Sequence, residues 1–284
     1  MRGWETIGRA LQQASALLSA EDIDSPRLDA EVLLAHQLGF SREQLLARLD
    51  QRLTAEQLEG YTRVLERRRR HEPVAYIVGH REFYGLDLRV DSRVLIPRPE
   101  TETLVEVAIT TARRLNAQRI AEVGTGSGAV AIAVAVHLPQ ARIYALDVAD
   151  AALEVARENI ARHGVEDRIE LLSGDLLTPL PESVQLIVGN LPYISQTELG
   201  ELPPEVARYE PRQAINGGPN GLLHIRRLLE QAPEYLATHG AICLEMGPQQ
   251  ADSIAALARA RFPGAQLALV RDLAAMPRVT LILT

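Results

Sequence analysis

The sequence predicts an α/β protein: a mostly parallel, doubly wound sheet of seven strands, preceded by an all-helical segment and a β-hairpin linker. Three observations carry this. From residue 118 onward, apolar runs of strand length alternate with helical stretches, the pattern of parallel strands joined by crossover helices. A glycine-rich turn follows the first of those strands. Residues 1–72 show helical periodicity and no strand-like run.

Helices come first. Trp4 to Leu18 has apolar positions at helical spacing, and Ser25-Pro26 offers a cap and a first-turn proline for a helix through Asp29 to Leu38, ended by Gly39. Ser41 with Gln44, and Thr54 with Gln57, have the spacing of capping boxes. The last helix closes on Arg67-Arg68-Arg69-Arg70, cations that the helix dipole favours in a final turn. Pro73 marks a boundary. Residues 75–97 read as short β-rich pieces broken by Gly79 and Gly85, with Leu86–Val90 alternating at period two. This divides the chain into a helical domain (1–72), a hairpin linker (73–98) and an α/β domain (99–284).

In the α/β part, Ile96 to Glu102 opens a helix with Pro and acids where a helix start wants them. Strands are expected at 120–123, 143–146, 169–172 and 184–188, with helices at 128–137 and 149–163 between them. A long polar loop, 195–220, precedes a helix at 222–237, a strand at 241–245, a helix at 250–261 and strands at 266–270 and 279–283. No long helix separates the last two strands, so the final one should run antiparallel.

Bulk properties bound the function. The 284 residues are 46% hydrophobic, with a net charge of −7, and every basic side chain is arginine. Residues 1–72 balance at −1 and the remainder at −6, so neither part suits broad binding of nucleic acid through its phosphates. A lone cysteine, Cys243, excludes an internal disulfide and a thiolate zinc cluster. The seven histidines lack ligand spacing, and no metal is expected. Glu5 and Arg9 interrupt the amino terminus, and the apolar run 129–138 is too short to span a bilayer. A cytoplasmic monomer without membrane attachment is the expectation.

Chemistry concentrates at the ends of the strands. Gly124-Thr125-Gly126-Ser127-Gly128 joins the first strand to a helix, where glycines allow a tight turn and the helix start offers free N–H groups. Asp147 ends the second strand, where an acid can accept both hydroxyls of a ribose. This spacing indicates a nucleoside ligand and fits either a dinucleotide or S-adenosylmethionine. Glu122, placed to hold an amino group, and Asp175 with Leu176, placed to meet an adenine edge, favour the second. Asn190-Leu191-Pro192-Tyr193 ends the fourth strand, presenting a polar amide, a stiff turn and an aromatic ring where open α/β sheets bind ligands. An ordinary strand exit with an Asx turn would use the same residues. Behind a nucleoside site they read as a clamp for a planar amide or amine.

Together these residues resemble class I S-adenosylmethionine-dependent methyltransferases with a Rossmann-like seven-stranded sheet, and within them the HemK/PrmC family of release factor glutamine methyltransferases. The resemblance extends to Leu28–Leu34, Pro73–Gly79, Arg81–Gly85, Leu95–Glu102, Tyr209-Glu210-Pro211 with Ala214–Leu222, and Leu244–Gly247 with Gln249-Gln250. It implies that Gly124–Gly128 hold the methionine end of the cofactor, Asp147 the ribose, and Asp175 and Leu176 the adenine, with Asn190 at the meeting point of cofactor and substrate. It implies that Asn190, Leu191, Pro192 and Tyr193 bind and orient a glutamine of the Gly-Gly-Gln motif of class I peptide chain release factors, and that the helical domain docks that factor. Leu191 departs from the family's usual Pro, but the role there belongs to the backbone carbonyl. A ribosomal-protein glutamine methyltransferase, an adenine N6-methyltransferase and a dinucleotide-dependent oxidoreductase remain alternatives at this point.

Overall fold

The structure, a computed structural model, describes residues 6–284, so Trp4, placed by periodicity in the first helix, lies outside the described residues. Two units pack separately. The first runs to His80 and includes Pro203–Tyr209; the second holds Arg81–Leu202 and Glu210–Thr284.

The first unit is built on helix starts that work as the sequence predicts. α1 (Ile7–Ser19) begins where Thr6 Oγ1 accepts the Arg9 N–H. α2 (Pro26–Leu38) has Pro26 in its first turn and stops at Gly39, φ 66°; Ser25 holds the cap position without a side-chain cap bond. α3 (Arg42–Leu46) and α4 (Ala55–Arg69) each open on a complete capping box, Ser41 with Gln44 and Thr54 with Gln57. Leu11, Leu18, Leu33, Leu34 and Tyr61 form their shared core. Two buried acids of the 28–34 stretch gather arginines around it: Asp29 takes Arg68, and Glu31 takes Arg27 and Arg42.

The arginine run is therefore mostly spent on structure. Arg68 is 4% exposed between Asp29 and Glu205, while Arg67 pairs with Glu72, and Arg69 with Glu21 and Glu66. Glu205 lies on α9 (Pro204–Tyr209), a short helix inside the stretch read as a polar loop. Its six residues are too few for a periodicity signal, and its partners lie more than a hundred positions away. The other correction is α5 (Val74–Val78), helical where β-rich pieces were expected. Its β-branched residues suggest a strand, but Pro73 at its start and Gly79 (φ 82°) at its end bracket one short helix. A ribbon of β1 (His80–Phe83) and β2 (Leu86–Arg89) follows, turning at Tyr84 and Gly85 with both φ positive, the backbone that matches strand twist.

The second unit continues through α6 (Glu102–Leu115), β3 (Arg119–Val123), α7 (Ala129–His137), β4 (Arg142–Asp147), α8 (Asp150–Arg162), β5 (Ile169–Ser173) and β6 (Val184–Gly189). After α9 come α10 (Leu223–Tyr235), β7 (Leu236–Glu245), α11 (Ala251–Arg261), β8 (Gln266–Arg271) and β9 (Pro277–Leu283). The seven strands order as β5-β4-β3-β6-β7-β9-β8, and β9 is antiparallel to both neighbours as expected. Apolar layers cover both faces, one including Leu104, Ile132 and Ile143, the other Tyr144, Ile187 and Leu228. β7 starts five residues before the expected Ala241. Pro233 removes a backbone donor near the end of α10, and Leu236 pairs with Val184 ahead of a register shift.

Register fixes the site. Val123 lies beside Leu146 and Gly189, and Asp147 beside Ser173, so the carboxyl ends of β5, β4, β3 and β6 emerge side by side. Strand order reverses at β3, the crevice where such sheets bind ligands.

Candidate active site

Along that edge runs a cleft of about 290 Å³. Of the residues singled out by sequence, Gly124, Gly126, Asp147, Asp175, Leu176, Asn190, Leu191 and Pro192 line it. Gly124 turns with φ 77°, and its N–H and that of Thr125 both donate to the Leu146 carbonyl, pulling the glycine turn across the end of β4. A Cβ on Gly124 would meet Leu191 Cδ2 at 3.4 Å, so the Leu191 side chain packs directly under the turn. A Cβ on Gly126 would meet nothing within 4 Å. The turn is open there.

Thr125, Ser127 and Gly128 sit behind the turn. The Thr125 hydroxyl donates to Glu122 Oε2, which also accepts the Ala131 N–H at 3.1 Å, and the Ser127 carbonyl accepts from the buried Asn159 side chain at 2.9 Å. Asn159 also holds both backbone groups of Arg89, tying the hairpin to the turn. Gly128 (φ 81°) allows α7 and α8 close contact at Ala156. Glu122 is 4% exposed, and burial pushes its carboxyl up to about 8. Its observed contacts brace the turn from below.

Asp147 accepts the Gly126 N–H at Oδ2 and the Ala149 N–H at Oδ1, each at 2.9 Å. Each oxygen keeps an acceptor site for another donor. Burial raises its pKa, against those backbone bonds, which favour the charged form. Asp175 forms an ion pair with Arg227 at the rim.

At the end of β6, Asn190 Nδ2 donates to Thr101 Oγ1 at 3.1 Å, and Asn190 Oδ1 has no partner among the described residues. Tyr193 donates its hydroxyl to Glu245 Oε1 at 3.3 Å, and its ring packs on the core behind the cleft. Glu245 is 1% exposed, and burial pushes it up to about 7, opposed by Thr101, Arg278 and Tyr193.

Several motifs recognised by sequence brace this segment. The Gln250 amide donates to the carbonyls of Tyr193 (2.9 Å) and Gly221 (3.3 Å) and accepts the Gly247 N–H (2.9 Å). Glu210 receives the Arg98 guanidinium and the Ile96 N–H, joining the 95–102 and 209–211 stretches. Gly217 and Gly221 lie backbone to backbone against the motif: a Cβ would come within 2.7 Å of the Pro192 carbonyl oxygen at one and 2.1 Å of the Tyr193 oxygen at the other. Arg93, Gln213, His224 and Arg227 also line the cleft. Nothing in their local sequence marks them. Thr101 and Gln250 lay inside stretches already singled out, without an assigned role.

A nucleoside-sized cleft at the strand reversal, a glycine turn and acid at the next strand's end, and a polar amide facing them define a class I S-adenosylmethionine-dependent methyltransferase. Residues 9–79 match the PrmC N-terminal domain, and residues 100–202 the methyltransferase small domain. A release factor glutamine methyltransferase of Moorella thermoacetica is 42% identical over 90% of each chain. One of Rhodopirellula baltica is 38% identical, covering 96% of this chain and 95% of its own. The chain belongs to the release factor glutamine methyltransferases. A crystal structure of a ribosomal protein L11 methylase from Lactobacillus delbrueckii subsp. bulgaricus, 22% identical over 69% of this chain and 84% of that one with a TM-score of 0.50, shares the fold.

Proposed function

We propose that the enzyme methylates the side-chain amide nitrogen, N5, of the glutamine in the Gly-Gly-Gln motif of class I peptide chain release factors. It acts in the cytoplasm as a monomer, needs no nucleic acid, and docks its substrate through the helical unit. The observation that carries this is Asn190: one end of its amide is held by Thr101, and the acceptor end is left unpaired in a residue that lines the cleft.

The cleft residues fit the cofactor. Asp147, with an acceptor site left on each oxygen, receives the ribose hydroxyls; the open turn at Gly126 and its neighbours Gly124–Gly128 take the methionine end; Asp175 and Leu176 meet the adenine edge. When bound, S-adenosylmethionine supplies an electrophilic methyl group on its sulfonium. An amide nitrogen is a weak nucleophile because its lone pair is delocalised into the carbonyl. Asn190 Oδ1 and the Leu191 carbonyl accept its two N–H bonds, orient it and stabilise the positive character that develops as it reacts. Pro192 stiffens the turn, and Tyr193, anchored through Glu245, backs the segment from behind the cleft.

Transfer of a tritiated methyl group separates this reading from its rivals. Purified release factor should be labelled, and a factor with Gly-Gly-Ala in place of Gly-Gly-Gln should not. Equal labelling of that variant, or labelling of ribosomal protein or DNA alone, refutes it.

A further inference from the structure

The turn between β8 and β9 holds apolar side chains out into solvent on a closely tied backbone. Leu273 is fully exposed and Met276 nearly half exposed. Beneath them, Asp272 Oδ1 accepts the Ala274 and Met276 N–H groups at 3.0 Å each, and its Oδ2 accepts from Arg278 Nε at 3.1 Å. The Asp272 N–H donates to the Met276 carbonyl, the Ala275 N–H to the Asp272 carbonyl, and Arg271 Nη1 to the Ala275 carbonyl at 2.8 Å. Ala275 is held at φ 61°, a backbone that a residue with a Cβ adopts only under constraint. A single exposed Leu says little by itself. What marks this one is a rigid mount and its place on the sheet.

Register gives that place. Gly189 pairs with Leu244, Glu245 with Val279, and Val279 with Val270, so the row that starts at Asn190 crosses β7 and ends at the root of this loop. The Met246 N–H donates to the Arg278 carbonyl at 3.0 Å, carrying the pairing up to it. β9 and β8 stand two and three strands from β6, about 10–14 Å at the usual ~4.8 Å spacing. Extended polypeptide covers that distance in about three to five residues. The cofactor residues Gly124–Gly128, Asp147 and Asp175 lie at the ends of β3, β4 and β5, which leaves the β7-β9-β8 side of Asn190 to a protein substrate. We propose that the 272–276 loop is a docking knob for the release factor, with Leu273 and Met276 taking an apolar side chain about three to five residues from the methylated glutamine. This rests on the glutamine being held at Asn190. A side chain already fixed in place loses little freedom on docking, which suits a tip this firmly tied.

Leu273→Ser removes the contact without touching the core. Steady-state methylation should show KM for release factor raised roughly tenfold or more, as for a Leu that docking buries, with kcat, cofactor affinity and urea midpoint unchanged. Val136→Ser is the control: that exposed side chain sits near the end of α7, at the opposite edge of the sheet, and its loss should leave KM as it was. The lone cysteine, Cys243, is buried, so Leu273→Cys supplies one accessible thiol for a benzophenone cross-linker. Cross-links to release factor should map within about ten residues of the glutamine once the reach of the linker is added to the three to five. An unchanged KM in Leu273→Ser, an equal rise in Val136→Ser, or cross-links confined to a second copy of the enzyme or to distant parts of the factor overturns the proposal. Should the wild type leave release factor unlabelled, the functional reading fails, while calorimetric binding of the factor to wild type and Leu273→Ser still decides whether the loop docks it.

Discussion

Gly221→Ala should damage the motif from outside the cleft. The residue has φ +73°, where an L side chain costs about 1–2 kcal/mol. Its new Cβ would lie 2.1 Å from the Tyr193 carbonyl oxygen and 2.5 Å from Gln250 Nε2. An ordinary contact needs more than 3 Å, so the loop and the 190–193 segment must separate by about 1 Å. Overpacking of this kind costs a further 1–3 kcal/mol or so. Together these lower stability by about 2–5 kcal/mol, read as a reduced urea midpoint at constant slope. Gln250 bridges the carbonyls of Tyr193 and Gly221, so the shift reaches the proposed clamp at Asn190, and a displacement of about 1 Å is worth about 10²-fold in rate. Gly200→Ala is the control, since a Cβ there meets nothing within 4 Å and φ is not positive. A Gly221→Ala enzyme with wild-type midpoint and methyl-transfer rate would refute the claim that this loop holds the motif by backbone contact.

Asn190→Ala should fold and bind cofactor normally while losing about 10²–10³-fold in single-turnover rate, the scale for deleting one preorganised polar group. Asp147→Ala should weaken cofactor binding at least about tenfold by calorimetry, because charge-assisted bonds to a ligand go together with the acceptor that holds the Gly126 and Ala149 N–H groups. Glu122→Gln should change the pH dependence of stability. With the folded carboxyl raised from 4.5 to about 8, the folded state retains a proton that the unfolded chain has released. Stability should therefore fall as pH rises across that window. Urea midpoints measured between pH 5 and pH 8 should decline less steeply in Glu122→Gln than in the wild type, with a parallel decline counting against a buried, proton-holding Glu122.

Much of this was legible because it is local. Apolar runs at strand length fixed β3 to β6 almost to the residue, and both capping boxes were readable as spaced pairs. The glycine turn, Asp147 and Asn190 follow from their positions at strand ends. What stayed hidden depends on distant partners. α9 is held by Glu205 against Arg68, 137 positions away, and α5 by its bracketing Pro and Gly against its own β-branched composition. Thr101 reaches Asn190 across 89 positions and Gln250 reaches Tyr193 across 57. No periodicity encodes such bonds. Glu122 shows the reverse failure: its position at the end of a strand suggested a ligand contact, while its depth and its bonds to Thr125 and Ala131 make it a brace.

Leu191 shows what the motif demands at each place. The family's usual Pro would lose no hydrogen bond here, since the Leu191 N–H has no partner among the described residues. The Leu side chain, 4% exposed, joins the apolar layer and lies against the turn at Gly124. It therefore replaces the φ restraint of a ring with packing that fixes the same backbone from below. The following Pro192 still stiffens the turn, and after it the Gln250 amide donates to the Tyr193 carbonyl and the Gly217 N–H to that of Ile194. On the proposed reading of the clamp, position 191 contributes a carbonyl that packing, in place of a ring, holds where it is.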